Sequence, residues 1–225
     1  FTRTAADTTG ITAASTANLG SGFDCLAAAL SLKLRAELHP GNLPGIVLTA
    51  HGEGAAEAEG AGSDSLVVRA FREGLRAAGG PPGGSASWRM EVSSMIPAAR
   101  GLGSSAAAIL AGLLLGASAG RLPTSADQLL ALAARLEGHP DNVSAALYGG
   151  FTLSVMEQHD VTVRRFRVPE AWIPVLFIAG QQSRTAEMRA ALPSAVPHAV
   201  AARQAGRSAL LATAVARRAF YSVAF

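Results

Sequence analysis

Three short segments hold most of the residues able to work on a small polar ligand. In Ile96-Pro97-Ala98-Ala99-Arg100-Gly101-Leu102-Gly103-Ser104-Ser105-Ala106, a proline turn and two glycines lead into a long apolar run. Glycine lets the backbone bend sharply and come close to a ligand. Ser104 and Ser105 would open a helix whose first N–H groups lack intrahelical partners and whose positive dipole end attracts anions, which suits a phosphate. The same residues also fit an ordinary glycine turn with Ser104 as N-cap. Neither Gly-Lys-Ser/Thr nor G-x-G-x-x-G is present, so the two common nucleotide fingerprints do not apply.

The second segment runs Ser15-Thr16-Ala17-Asn18-Leu19-Gly20-Ser21-Gly22-Phe23-Asp24. Asn18 and Asp24 bracket two glycines after a predicted strand, so the loop could aim an amide and a carboxylate into a cleft. An Asx-type turn, with those side chains capping the backbone, is the ordinary alternative. The third segment is Leu136-Glu137-Gly138-His139-Pro140-Asp141-Asn142-Val143. Glu137 suits Mg²⁺, a hard cation that prefers carboxylate and phosphate oxygens. His139, Asp141 and Asn142 suit a hydroxyl or an amine. A helix C-terminus with Gly138 at C′ and a proline turn would explain the same residues.

Holding three such loops in place takes strands and helices in irregular alternation, which predicts an α+β or α/β class. Strands are expected at 11–15, after a turn within 25–37, at 46–50, and around the alternating Trp88, Met90 and Val92. Residues 52–62 read as a loop. Helical spacing of Leu66, Val67, Ala70, Phe71 and Leu75 predicts a helix over 65–78, ended by Gly79-Gly80-Pro81-Pro82. An apolar helix over 103–119 and an amphipathic one over 125–136 follow. Residues 151–156 and 161–168 should pair as a hairpin, and 176–179 should be a buried strand. Helices are expected over 186–192 and 198–218, before a β-prone end at 219–225. A domain boundary is expected between Met156 and Val161.

The chain of 225 residues is 49% hydrophobic and 16% charged, an ordinary globular composition. Its net charge of +3 comes almost wholly from arginines, with Lys33 the one lysine, and only 5% of residues are aromatic. Dispersed arginines with few stacking rings argue against a nucleic-acid binder. Cys25 is the only cysteine, which excludes an internal disulfide or a cysteine-cluster metal site. The apolar run 106–119 is too short to span a bilayer and is broken by Gly112, Gly116 and Ser118. The N-terminal residues show no signal pattern, and the expected location is the cytoplasm.

Taken together, the three segments resemble the GHMP small-molecule kinases, and within them the homoserine kinases. That family carries S-T-A-N-L-G-x-G-F-D, matched by 15–24, and P-x-x-x-G-L-G-S-S-A-A, matched by 97–107. Residues 137–143 resemble its E-G-H-P-D-N-V segment. Thr185-Ala186-Glu187-Met188-Arg189-Ala190-Ala191-Leu192-Pro193 is similar to its T-x-x-A-R-x-x-L-P, with Met188 in place of alanine. The resemblance implies an α+β two-domain fold. A ribosomal protein S5 domain 2-like ATP-binding domain would occupy 1–158, and a ferredoxin-like domain, incomplete in this sequence, 159–225.

It also implies phosphorylation of the hydroxyl of L-homoserine by ATP with Mg²⁺, a step of threonine biosynthesis. Ile96 to Ala106 would wrap the ATP phosphates, with Ser65 near the adenine and Ser105 and Glu137 on Mg²⁺. Asn18, Asp24, His139 and Asn142 would surround the reactive end and amino group of homoserine. Arg189 would clamp its carboxylate, a task for which the guanidinium fork is well shaped. Asp24, Asp141 and Asn142 are the candidate catalytic groups. An asparagine cannot take a proton, so positioning and charge stabilisation would carry the reaction.

Two departures stand out. The family's Asn-Leu-Val segment near the adenine is Ser65-Leu66-Val67 here, and its C-terminal S-G-x-G-P is absent, so the sequence is expected to be part of a longer protein. A kinase for another small alcohol and an inactive ligand-binding relative are the alternatives. A Rossmann-type oxidoreductase has no βαβ fingerprint to support it. No membrane partner is expected, and a homodimer is left open.

Overall fold

A computed structural model describes residues 8–80, 87–158, 160–181 and 185–217. Its strands are β1 (Thr8–Ala17), β2 (Leu26–Pro40), β3 (Gly45–Gly52), β4 (Ser87–Ser94), β5 (Phe151–Glu157) and β6 (Asp160–Phe166). Its helices are α1 (Ala55–Ala61), α2 (Leu66–Ala77), α3 (Ser104–Ala119), α4 (Ala126–Glu137), α5 (Asp141–Tyr148), α6 (Thr185–Ala190) and α7 (His198–Arg217). The class is the expected α+β.

The fold is organised on β2, whose side chains alternate as a half-buried strand requires. Leu30, Leu34, Ala36 and Leu38 are buried, while Ser31, Lys33 and Arg35 face outward. Antiparallel ladders join β2 to β1, to β4 and to β5, and β3 lies parallel to β4. The expected hairpin is present, with β6 antiparallel to β5 from Phe151–Phe166 to Glu157–Asp160. The division expected near residue 158 falls at the turn of this hairpin, so β6 continues the sheet that 8–157 build.

Helix α3 is apolar on every side and therefore belongs inside. Ala107, Ala111 and Leu115 pack with the sheet and α2, and Ile109, Leu110 and Leu113 with α4 and α5. Its approach to α2 is close because Gly112 and Gly116 lie at the crossing. A Cβ on them would stand 2.2 Å from Val67 O and 2.1 Å from Phe71 O. Phe71 meets Trp88 edge to face at 6.2 Å. Helix α4 begins in a capping box, with Ser125 and Gln128 each accepting from the other's backbone. Helix α7 buries Leu211 and Val215 against Leu26 and Phe151.

Three sequence expectations need correction. Residues 52–62 are not a loop throughout: α1 fills 55–61, because alanine and glutamate favour a helix once Gly54, left-handed, and Gly62, also at positive φ, turn the chain at its ends. The proline turn after Gly138 is the start of α5, with Pro140 at its N-cap. Residues 176–179 form neither a strand nor buried structure. Phe177 is 97% exposed, and no strand among the described residues takes this segment's backbone bonds. Residues 81–82, expected to end α2, and the β-prone 219–225 lie outside the described residues.

Candidate active site

The site grows from the N-terminus of α3. The backbone is left-handed at alternate positions, Ala99 (φ 53), Gly101 (φ 73) and Gly103 (φ 66), and left-handed residues in such alternation are a backbone pattern that can gather N–H groups around an anion. Ser104 is not the N-cap. That place belongs to Gly103, and no side-chain hydrogen bond caps the helix, which leaves its first N–H groups open to a ligand. Only glycine fits at 103, since a Cβ would stand 2.3 Å from Ser15 Oγ. Ser15 pins the loop: its N–H donates to Leu102 O at 3.1 Å and its hydroxyl to Asn142 O at 3.2 Å.

Beside this loop, Ser105 Oγ donates to Glu137 Oε1 at 2.5 Å. Burial pushes the Glu137 carboxyl above its ordinary pKa, against the lowering effect of the Ser105 hydrogen bond and of His139. Gly138, left-handed at φ 89, ends α4 and lets the chain reverse there. His139 Nδ1 then lies 2.6 Å from Asp141 Oδ1, and its Nε2 3.8 Å from Glu137 Oε1. The Asp141 hydrogen bond raises the His139 pKa. Asp141 Oδ1 also accepts from the Asn142 N–H at 2.7 Å.

Asp141 was expected among the catalytic groups, but its side chain is 0% exposed and outside the cavity lining. It acts on His139 and Asn142 from beneath. Ile96, Leu102 and Ala106 are likewise buried, and none of them is among the residues lining the cavity. Arg100 Nη1 donates to Ala179 O at 2.6 Å, tying the loop to the 173–180 segment.

Asn18, which lines the cavity, accepts through Oδ1 from the N–H of Asp24 at 2.9 Å; Asp24 itself is outside the lining, and both residues have positive φ. Arg189 of α6 reaches across and grips Asp24 with both terminal nitrogens, Nη1 lying 3.0 Å from Oδ2. Its guanidinium also sits 5.6 Å from the Phe23 ring centroid. The Asp24 hydrogen bond raises the Arg189 pKa further.

These walls enclose about 560 Å³, lined by Asn18, Ser105, Glu137, His139, Asn142 and Arg189 among others. A second cavity of about 320 Å³ lies on the α1–α2 side, with Ser65, Val67, Val92, Ala98 and Ala108 in its lining. Ser104 and Ser105 line both cavities, so the two meet at the start of α3.

Residues 65–150 match the model of the GHMP kinase N-terminal domain. The homoserine kinase of Streptomyces coelicolor is 41% identical over 211 residues, covering 91% of this chain and 66% of its own length. That of Streptomyces avermitilis is 40% identical over 210 residues, covering 91% and 67%. The chain belongs to the homoserine kinase family of GHMP kinases. Among solved structures, a Listeria monocytogenes protein assigned as a homoserine kinase is 27% identical with a TM-score of 0.71, covering 92% of this chain and 68% of that one. Homoserine kinase from Cytophaga hutchinsonii, at 23% identity, shares the fold with a TM-score of 0.76, covering 97% and 70%. The chain thus spans about two thirds of the length of these homoserine kinases.

Within this family member, the sequence-predicted residues Asn18, Ser104, Ser105, Glu137, His139, Asn142 and Arg189 converge on the larger cavity, and Ser65 stands apart in the smaller one. Sequence reasoning missed Met188 of α6 and the wall that α1 and the turn before it give the second cavity, including Glu53, Gly54 and Glu57. The alternation of alanine and glutamate in 55–59 was the available signal for α1.

Proposed function

We propose that this protein transfers the γ-phosphoryl group of ATP to the hydroxyl of L-homoserine, giving O-phospho-L-homoserine, in the cytoplasm. The observation that carries the reading is the meeting of a largely apolar cavity and a more polar one at the uncapped start of α3. A nucleobase suits the first, a small polar alcohol the second, and a phosphate chain the junction. Ser65 Oγ is buried without a hydrogen-bond partner, which leaves it free to bond a base or ribose.

The donor set also fits Mg²⁺. Glu137 is buried, and its nearest cationic candidate, His139 Nε2, is 3.8 Å away, so a hard oxygen-seeking cation would relieve its desolvated charge. Glu137 and Ser105 would hold the ion, which when bound neutralises charge on phosphate oxygens.

The chain's own groups would align the reactants. N–H groups from 99–105 orient the phosphates. The amides of Asn18 and Asn142 can hold the hydroxyl, while Asp24 and Arg189 match the ammonium and carboxylate of an amino acid. A carboxylate only accepts, so Asp141 keeps a proton on His139 Nδ1 and turns Nε2 toward Glu137. Alignment of this kind supplies the rate when no base takes the proton. Following ADP release with L-homoserine, L-serine, mevalonate and galactose tests the reading. Turnover should appear with L-homoserine alone; a preference for another alcohol, or none at all, would overturn it.

A further inference from the structure

Away from both cavities, two carboxylates and an imidazole meet on the outer face of the sheet. In β2, Leu34, Ala36 and Leu38 are buried in the core shared with α2 and α3, so the alternate residues Arg35, Glu37 and His39 take the opposite face. In β4, Met90 and Val92 are buried in the same core, which puts Arg89 and Glu91 on that outer face too. The antiparallel register sets Glu37 directly across from Glu91, and His39 across from Arg89. One ligand atom from each of Glu37, His39 and Glu91 lies within 4.8 Å of the other two. None of the three residues lines either cavity.

Like charges directly opposite each other destabilise a strand pair. Here each carboxylate has an arginine two residues away on its own strand. Arg35 Nη2 lies 2.8 Å from Glu37 Oε1, and Arg89 Nη1 lies 3.3 Å from Glu91 Oε1. Both arginines are more than half exposed, at 53% and 55%, and pairs of that kind hold weakly. Thr9 Oγ1 also donates to Glu37 Oε1, at 3.4 Å. A carboxylate has two oxygens, so each glutamate can keep its arginine on one and offer the other to a ligand. Hydrogen bonds of this sort orient the carboxylates of metal sites.

We propose that Glu37, His39 and Glu91 form a zinc site that clips β2 to β4, separate from the Mg²⁺ proposed at Glu137 and Ser105. Two carboxylates and a neutral imidazole balance the charge of one divalent cation. An imidazole nitrogen beside two carboxylate oxygens suits Zn²⁺, whereas Mg²⁺ and Ca²⁺ favour sets made of oxygen alone. Zinc holds such ligands at about 2.0–2.2 Å, so the three side chains must draw together, with water as the fourth ligand. The glutamates, 29% and 37% exposed, have room to turn. One ion bound by two strands would fix the register of Glu37 against Glu91. The inference does not depend on what the larger cavity binds.

Calorimetric titration of zinc into chelator-treated protein, with millimolar Mg²⁺ present to fill magnesium sites, tests the assignment. Zinc should bind, and His39→Ala, Glu37→Gln and Glu91→Gln should each weaken it by about tenfold or more. His139→Ala should leave this binding unchanged; it is included because His139 and Glu137 could offer zinc a competing site. Zinc should also raise the melting temperature of the wild type and not that of His39→Ala. Melting curves without zinc establish that each variant is folded. Wild-type zinc affinity in any of the three site variants, or no zinc binding at all, would overturn the proposal. Displacement of the zinc by an equal concentration of Ca²⁺ would reveal a plain acidic patch and overturn the choice of metal.

Discussion

Ser105, in the first turn of α3, and Glu137, the last residue of α4, share a hydrogen bond of 2.5 Å that brings a hydroxyl and a buried carboxylate together in the lining of the larger cavity. The arrangement places charge where folding alone disfavours it. Burial raises the Glu137 pKa, so stability associated with the neutral carboxyl is present below the unfolded value near 4.5 and is lost as pH rises through the higher native value.

Glu137→Gln should therefore act in opposite directions on stability and activity. In magnesium-free buffer at pH 7 the variant should melt no lower than the wild type, and the difference in its favour should shrink toward pH 4. Turnover should fall by about two orders of magnitude or more, as loss of charge stabilisation in a transition state does. A variant that melts lower at pH 7 and turns over normally would place Glu137 in a purely structural role.

Asp141 makes a different prediction because its bonds are internal to the segment that carries His139 and Asn142. Asp141→Ala removes the acceptor of the His139 Nδ1 proton and of the Asn142 N–H, both buried. Leaving such partners unpaired should lower unfolding stability by about 3–5 kcal/mol in urea titrations. Asp141→Asn can keep one acceptor oxygen and should lose less, about 1–3 kcal/mol. Its KM for L-homoserine should rise more than its KM for ATP, since His139 and Asn142 line the larger cavity only. Equal loss on both substrates would show that Asp141 supports the whole site.

Much of this was legible in the sequence where the signal is local. The period-two alternation in 88–92 and the helical spacing of Leu66, Phe71 and Leu75 survive in β4 and α2, because each element buries the face its own pattern defines. The glycines and serines of 101–105 pointed to a sharp turn leading into a helix, and left-handed backbone followed by a helix start is what the structure has there, since both are also local properties. What was not legible depends on distant neighbours. Nothing within 176–179 says whether a strand lies beside it, and nothing in the Gly138–Asn142 segment says that Asp141 faces the interior while His139 faces the cavity. The mutual grip of Asp24 and Arg189 is likewise a property of the folded chain, although each residue was placed in the site separately.

The crossing of α2 and α3 predicts a change in stability without a change in chemistry. At Gly112 an added Cβ would stand 2.2 Å from the backbone oxygen of Val67 and 2.9 Å from Ala70 Cβ. A helix backbone cannot yield as a flexible side-chain tip does, so α2 and α3 would have to separate. Gly112→Ala should lower unfolding stability by about 1–3 kcal/mol, the usual range for overpacking. Ser105 lies two turns away, so KM for ATP should stay within about twofold at temperatures where the variant is folded. An unchanged urea midpoint would mean that the two helices are not in such close contact.

Ala99 carries the last prediction, because it is a non-glycine residue in the left-handed region, at φ 53, beside the loop expected to hold phosphates. For an L-residue with a Cβ that conformation costs about 1–2 kcal/mol. Ala99→Gly removes the strain but adds about 0.5–1 kcal/mol of unfolded-state freedom, so the net effect on stability should be neutral to about 1 kcal/mol stabilising. The same freedom loosens the alternating left-handed turns at 99, 101 and 103, and KM for ATP should rise several-fold while KM for L-homoserine changes little. Ala99→Val adds β-branching at positive φ and should lose more than about 1 kcal/mol. Chemical denaturation of the two variants beside the wild type gives the order Gly, then Ala, then Val. A glycine variant less stable than wild type by more than about 1 kcal/mol would show that Ala99 is unstrained, and that the loop is not held in a turn that only neighbouring structure enforces.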